Sequence, residues 1–115
     1  MQITKNSEII EGLIDQAASI LRILGDPARF RIVGMLMGGE LCACKFHEPL
    51  GLSQSLASHH LQVLQEAGII SGRKVGRNIF YSVNESQIEK ARDILGAFTV
   101  KEGTNDNKST GSGVC

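Results

Sequence analysis

No apolar run in this 115-residue chain approaches the roughly 18 residues that a membrane-spanning helix needs, so no membrane partner is expected. The N-terminus, "MQITKNSEII", lacks the charged-then-apolar order of a secretory signal. Cysteine is scarce: the chain has three, an odd number, and two of them, Cys42 and Cys44, are one residue apart. In a reducing compartment that favours metal or redox chemistry over a structural disulfide framework. A cytoplasmic protein is the expectation. Net charge is also missing, since 12 Lys and Arg balance 12 Asp and Glu, and composition gives no global sign of nucleic acid. Catalytic equipment is lacking too. There is no cofactor loop, and Cys44 with His47 supplies only part of a nucleophile, base and orienter set. Neither an enzyme, a catalytic cofactor nor a small organic substrate is expected.

What is present is a single globular domain by length, with 42% hydrophobic and 21% charged residues. A first helix is predicted from Asn6 or Ser7, either of which can cap it. Its apolar face is Ile10, Leu13, Ile14, Ala17, Leu21 and Leu24, and Gly25 stops it. Asp26 then caps a second helix with Pro27 at its first position. That helix carries Phe30, Ile32, Val33, Leu36 and Met37 and ends at Gly38-Gly39. A short third helix follows from about Cys42 to His47 or Leu50. "LGLS" is a tight connection, after which Ser53 caps a fourth helix from Gln54 to about Ala67, stopped by Gly68. "IISGRK" and "RNIFYSV" read as two strands joined at "VG". Asn84 or Ser86 caps a last helix with the stripe Ile88, Ala91, Ile94, Leu95 and Phe98.

This order, α-α-α-α-β-β-α, is that of a winged helix-turn-helix: mainly α (α+β), with helices three and four as the helix-turn-helix and the hairpin as the wing. The expected division is a domain over 1–98 and a flexible, Gly/Ser-rich tail over 99–115. The first and last helices have broader apolar faces than so small a core covers, which predicts a homodimer through those two helices.

On the fourth helix, Ala57, His60, Leu61 and Leu64 form one stripe and are expected to face the core. His60 is read as a core histidine. Gln54, Ser55, Ser58, His59 and Gln62 lie opposite. That face is short, polar and free of charge before Glu66, which suits base edges and phosphates in a major groove. In "SGRKVGR", Arg73, Lys74 and Arg77 stand with no acid among them, a local basic patch for phosphate in an otherwise neutral chain.

Taken together, "LGDPARFRIVGML", "GELCACKF", "LGLSQSLASHHLQVLQEAGII" and "GRKVGRNIFYSV" resemble the ArsR/SmtB family of bacterial metal-responsive repressors. The resemblance implies a homodimer on an imperfectly palindromic, double-stranded operator, repressing metal-resistance genes and leaving DNA when an inducer binds. Arsenic sensors of the family carry Cys-x-Cys-x-x-Cys at the start of the third helix. Here Cys42 and Cys44 match the first two positions and His47 occupies the third. The zinc-type Asp-x-His of the last helix is absent, because Asp93 is followed by Ile94 and Leu95.

Residues two apart on a regular helix point about 200° apart. Cys42 and Cys44 therefore bind one ion only if Cys42 precedes the helix or the first turn unwinds, which Pro49 makes easier. A thiol at a helix N-terminus is more readily ionised. Close thiolates without carboxylates select soft species, and through the resemblance trivalent arsenic or antimony fits best. The third ligand is Cys115, His47 or an outside thiol. A thiol redox or persulfide switch on the same fold, or response to another soft metal ion, is the alternative.

Overall fold

The junction Gly25-Asp26-Pro27 sets the first corner of the chain. The structure is a computed structural model that describes residues 2–99, with side chains from residue 7 onward. Helix α1 (Gln2–Leu24) and helix α2 (Pro27–Met35) meet at this corner. There the Asp26 carboxylate accepts from the amides of Ala28 at 2.8 Å and Arg29 at 3.4 Å, and Pro27 takes a position where no amide is missed. Helix α1 begins earlier than the expected Asn6 or Ser7, because nothing between Gln2 and Ser7 breaks a helix and Gln and Lys favour one. The second helix ends at Met35, and Leu36–Gly38 forms a tighter 3₁₀ turn.

The segment after that turn differs from expectation. Leu41–Cys42 is a short strand, β1, that pairs antiparallel with the wing. Ala43–Lys45 is a 3₁₀ turn, and α3 is only His47–Leu50. Cys42 has an extended backbone, φ −67° and ψ 145°, so it precedes the helix, the first of the two arrangements that permit shared coordination.

Helix α4 (Gln54–Glu66) is capped by Ser53, whose hydroxyl accepts from the Leu56 amide at 3.1 Å. Strands β2 (Ile70–Val75) and β3 (Asn78–Val83) pair from Ile70 with Val83 to Val75 with Asn78. The two-residue loop is therefore Gly76-Arg77 rather than Val75-Gly76, and Gly76 holds φ +62°, a conformation that costs glycine little. The sheet order is β1-β3-β2. Helix α5 (Glu85–Thr99) follows. Asn84 precedes it, but its side chain accepts from the Ser71 hydroxyl and donates to the Gly68 carbonyl, both at 2.7 Å. It thus clamps the base of the hairpin to the end of α4.

Buried residues from α1, α2, α4, α5 and both strands of the hairpin meet in one core, among them Ile20, Ile32, Leu64 and Tyr81, with Phe46 just ahead of α3. Phe46 stands edge-on to Tyr81, with centroids 6.4 Å apart. On α2, Ile32 and Val33 are buried as the pattern predicts, as is Leu36 in the turn after it, whereas Phe30 on α2 and Met37 in that turn are 63% and 80% exposed. Helices α1 and α5 pack on each other, and their outer apolar residues Ile10, Leu13, Ile14, Leu95 and Phe98 remain exposed. No helix among the described residues is long and apolar enough to cross a membrane. The expected tail over 99–115, with Cys115, lies outside the described residues beyond Thr99.

Candidate nucleic-acid interface and thiol site

Helix α4 divides as its periodicity requires. Ala57, His60, Leu61 and Leu64 are buried, and Gln54, Ser55, Ser58, His59 and Gln62 are exposed. His60, 8% exposed, is held by Arg29, whose guanidinium lies 3.3 Å from Nδ1. Arginine has only donors, so Nδ1 accepts and the ring proton sits on Nε2. Arg29 also donates through Nε to the Ile23 carbonyl at 2.8 Å. One side chain thereby ties α1, α2 and the exposed-face helix α4 together, a positioning role that only the folded contacts reveal.

The wing cations are not equivalent. Arg73 donates twice to the Glu40 carboxylate, at 3.0 and 2.7 Å, and lies over the Phe80 ring at 5.6 Å. The pairing holds the Glu40 carboxyl below its usual range and raises Arg73. Lys74 and Arg77 make no ion pair among the described residues. Sequence spacing could not anticipate this, because Glu40 and Arg73 are 33 residues apart.

The thiols face each other. Cys44 Sγ donates to Cys42 Sγ at 3.1 Å. The Cys44 amide and then the Cys44 thiol stabilise the charge on Cys42 and lower its pKa, with Lys45 nearby adding to the effect. Donation to Cys42 raises Cys44 instead. The pair thus consists of a more readily ionised sulfur and a sulfur that keeps its proton, the thiolate being the form that binds soft ions.

Both sulfurs open onto a cleft of about 350 Å³ between β1, the first turns of α4 and the wing. His47, Gln54, Ser58 and Arg77 also line it, so residues expected at DNA share a cavity with the thiols. No carboxylate lines it. Among the described residues, no three His, Cys, Asp or Glu side chains converge to hold an ion. Cys42 and Cys44 are brought together and His47 borders the same cavity without completing a three-ligand cluster.

A reading helix with a polar outer face, a basic two-stranded wing and a tied core histidine define a winged-helix DNA-binding protein with a dithiol beside its reading helix. The comparisons give the family. The profile described as "bacterial regulatory protein, arsR family" matches residues 26–71. The chain is 31% identical to the arsenical resistance operon repressor of Staphylococcus xylosus, across 87% of this chain and 96% of that one. It is 34% identical to the transcriptional repressor SmtB homolog of Synechocystis sp., across 64% of this chain and 55% of that protein. Among solved structures, a possible transcriptional regulator for arsenical resistance superposes with a TM-score of 0.64 at 32% identity, covering 71% of this chain and 85% of that one. The chain belongs to the ArsR/SmtB family; it is a DNA-binding transcriptional repressor and not an enzyme.

Proposed function

We propose that this protein represses a metalloid-resistance operon and leaves its operator when Cys42 and Cys44 hold trivalent arsenic or antimony. The observation that carries the reading is the pair of sulfurs 3.1 Å apart in a cleft that Gln54, Ser58 and Arg77 also line. Two adjacent thiols without a carboxylate suit a soft, sulfur-seeking species. The inducer class is supported by the likeness to the staphylococcal repressor, whose name states arsenical resistance.

The functional unit is a homodimer formed through α1 and α5. The exposed residues Ile10, Leu13, Ile14, Leu95 and Phe98 form an apolar face that a second copy covers. Two copies of α4 then enter successive major grooves of an imperfect palindrome, about one helical turn apart. Gln54, Ser55, Ser58, His59 and Gln62 meet bases and phosphates, and Lys74 and Arg77 meet phosphates beside them. Ligation at Cys42 displaces β1 and the turn leading into α3. It thereby changes the seating of α4, and two grooves at fixed spacing tolerate little such change.

The test is a mobility shift of promoter DNA with and without arsenite. Cys42→Ser and Cys44→Ser should each keep DNA binding and lose release, since Ser preserves size but not soft-ligand chemistry. Normal release by both variants would sink the role given to the thiols. The same sulfur distance also favours a second reading, closure of a Cys42–Cys44 disulfide by an oxidant. A two-hydrogen mass loss accompanying release without arsenite would select it.

A further inference from the structure

A trivalent metalloid bound through sulfur takes three thiolates, and the described residues supply two. Among the described residues no third ligand converges on Cys42 and Cys44, and both line a cavity. The cavity, about 350 Å³, lies at the lower end of small-molecule sites. Its lining includes one cation, Arg77, and no carboxylate, and Arg77 has no ion-pair partner among the described residues. On its other walls Leu61 and Ile79 supply apolar surface, and Gln54 and Ser58 supply hydrogen-bonding groups. The lining therefore suits a short organic ligand with a sulfur at one end and a negative charge at the other.

We propose that a free monothiol carrying a carboxylate supplies the third sulfur, lying in the cleft with its sulfur beside Cys42 and Cys44 and its carboxylate on Arg77. The inference rests on the reading of Cys42 and Cys44 as the metalloid site. The exchange balances without any redox change: arsenous acid loses three As–O bonds and gains three As–S bonds, two to the protein and one to the small thiol, and three water molecules leave with the three thiol protons. Arg77, at the wing turn, is one of the two unpaired wing cations proposed to meet DNA phosphate. With a carboxylate on it, Arg77 is no longer available to the operator. Ligand and DNA then compete for the same guanidinium, and by reciprocity operator DNA weakens the ternary complex to the same extent.

The experiment titrates full-length Cys115→Ser protein with arsenite, without DNA, in a thiol-free reductant, and follows the near-ultraviolet sulfur-to-arsenic absorbance. Mercaptoacetate and 2-mercaptoethanol, at equal concentration, are the charged and neutral probe thiols. Half-saturation should fall about tenfold with mercaptoacetate relative to 2-mercaptoethanol, the size of one charge-assisted contact. Arg77→Gln should abolish the difference and Arg77→Lys should retain most of it. Native mass spectrometry should find one mercaptoacetate for each arsenic. Equal half-saturation in the two thiols, or saturation of the wild type at one arsenic per subunit with no small thiol carried, overturns the proposal while leaving Cys42 and Cys44 as ligands. Absence of arsenite-dependent absorbance in every buffer overturns both the proposal and the reading beneath it.

Discussion

Removing one wing cation at a time should separate the two cations proposed to touch DNA from the one engaged by Glu40. Arg73 is already committed to Glu40 by two hydrogen bonds, whereas Lys74 and Arg77 have no such partner among the described residues. Each phosphate contact contributes about 0.9 to the slope of log affinity against log salt. In the proposed dimer, Arg77→Ala should therefore flatten the slope by about 1.8. Over a fourfold change in salt that is a difference of about twelvefold in how far affinity falls. Arg73→Ala should leave the slope nearly unchanged. Glu40→Gln should steepen it, since it releases a second guanidinium on each wing and removes a negative charge beside it. Fluorescence anisotropy of a labelled operator between 50 and 200 mM KCl measures all four proteins, and random DNA of equal length should show the same slope changes. If Arg73→Ala flattened the slope as much as Arg77→Ala, or Glu40→Gln left it untouched, the division of the wing into paired and unpaired cations would be wrong.

Gln54→Ala should act differently, losing discrimination at one base pair in each half-site, worth about 1–3 kcal/mol, while affinity for random DNA stays near wild type. Competition by operators mutated one pair at a time reads that loss. Phe46 is fully buried against Tyr81, and Phe46→Ala should cost about 3–5 kcal/mol in urea unfolding. Iodoacetamide at pH 7 should label Cys42 before Cys44, although Cys44 is the more exposed. Hydrogen bonds from Cys44 lower the Cys42 pKa and raise that of Cys44, so Cys42 holds the larger thiolate fraction. The preference should shrink as pH rises and Cys44 ionises too, which fragment-ion mass spectrometry of the Ile32–Lys45 peptide can follow.

Helix α4 was legible because its signals are local. Ser53 caps it, Gly68 follows it with φ +78°, and its apolar residues recur at helical spacing, so its buried and exposed faces both follow from the sequence. The Asp26-Pro27 corner was legible for the same reason. Strand β1 was not. Two residues carry no alternation, and Leu41 and Cys42 are strand only because Tyr81 and Phe80 lie opposite them, some forty positions away. In consequence α3 starts at His47 rather than near Cys42. Regular helical geometry would have set the two sulfurs on opposite sides, whereas the extended backbone at Cys42 lets them meet. The inequality of the wing cations was hidden likewise, since it depends on which acid the fold brings to Arg73. Asn84 stands where a helix cap is expected, yet its side chain is occupied by Ser71 and Gly68, a tertiary demand that overrides the local one.

The pairing of Cys42 with Phe80 bears on how such sensors can be rebuilt. Successive residues of a strand face opposite sides of the sheet, so the place of the Cys42 sulfur is a matter of register rather than of loop shape. Deleting or inserting one residue among Gly38, Gly39 and Glu40 would move the thiol to the other side of the sheet if the ladder re-formed one step along. A chimera that transplants α3 (His47–Leu50) alone from a relative would therefore import a helix and leave both sulfur positions behind. The exchangeable unit begins at Leu41, with the wing strand that receives it kept in step.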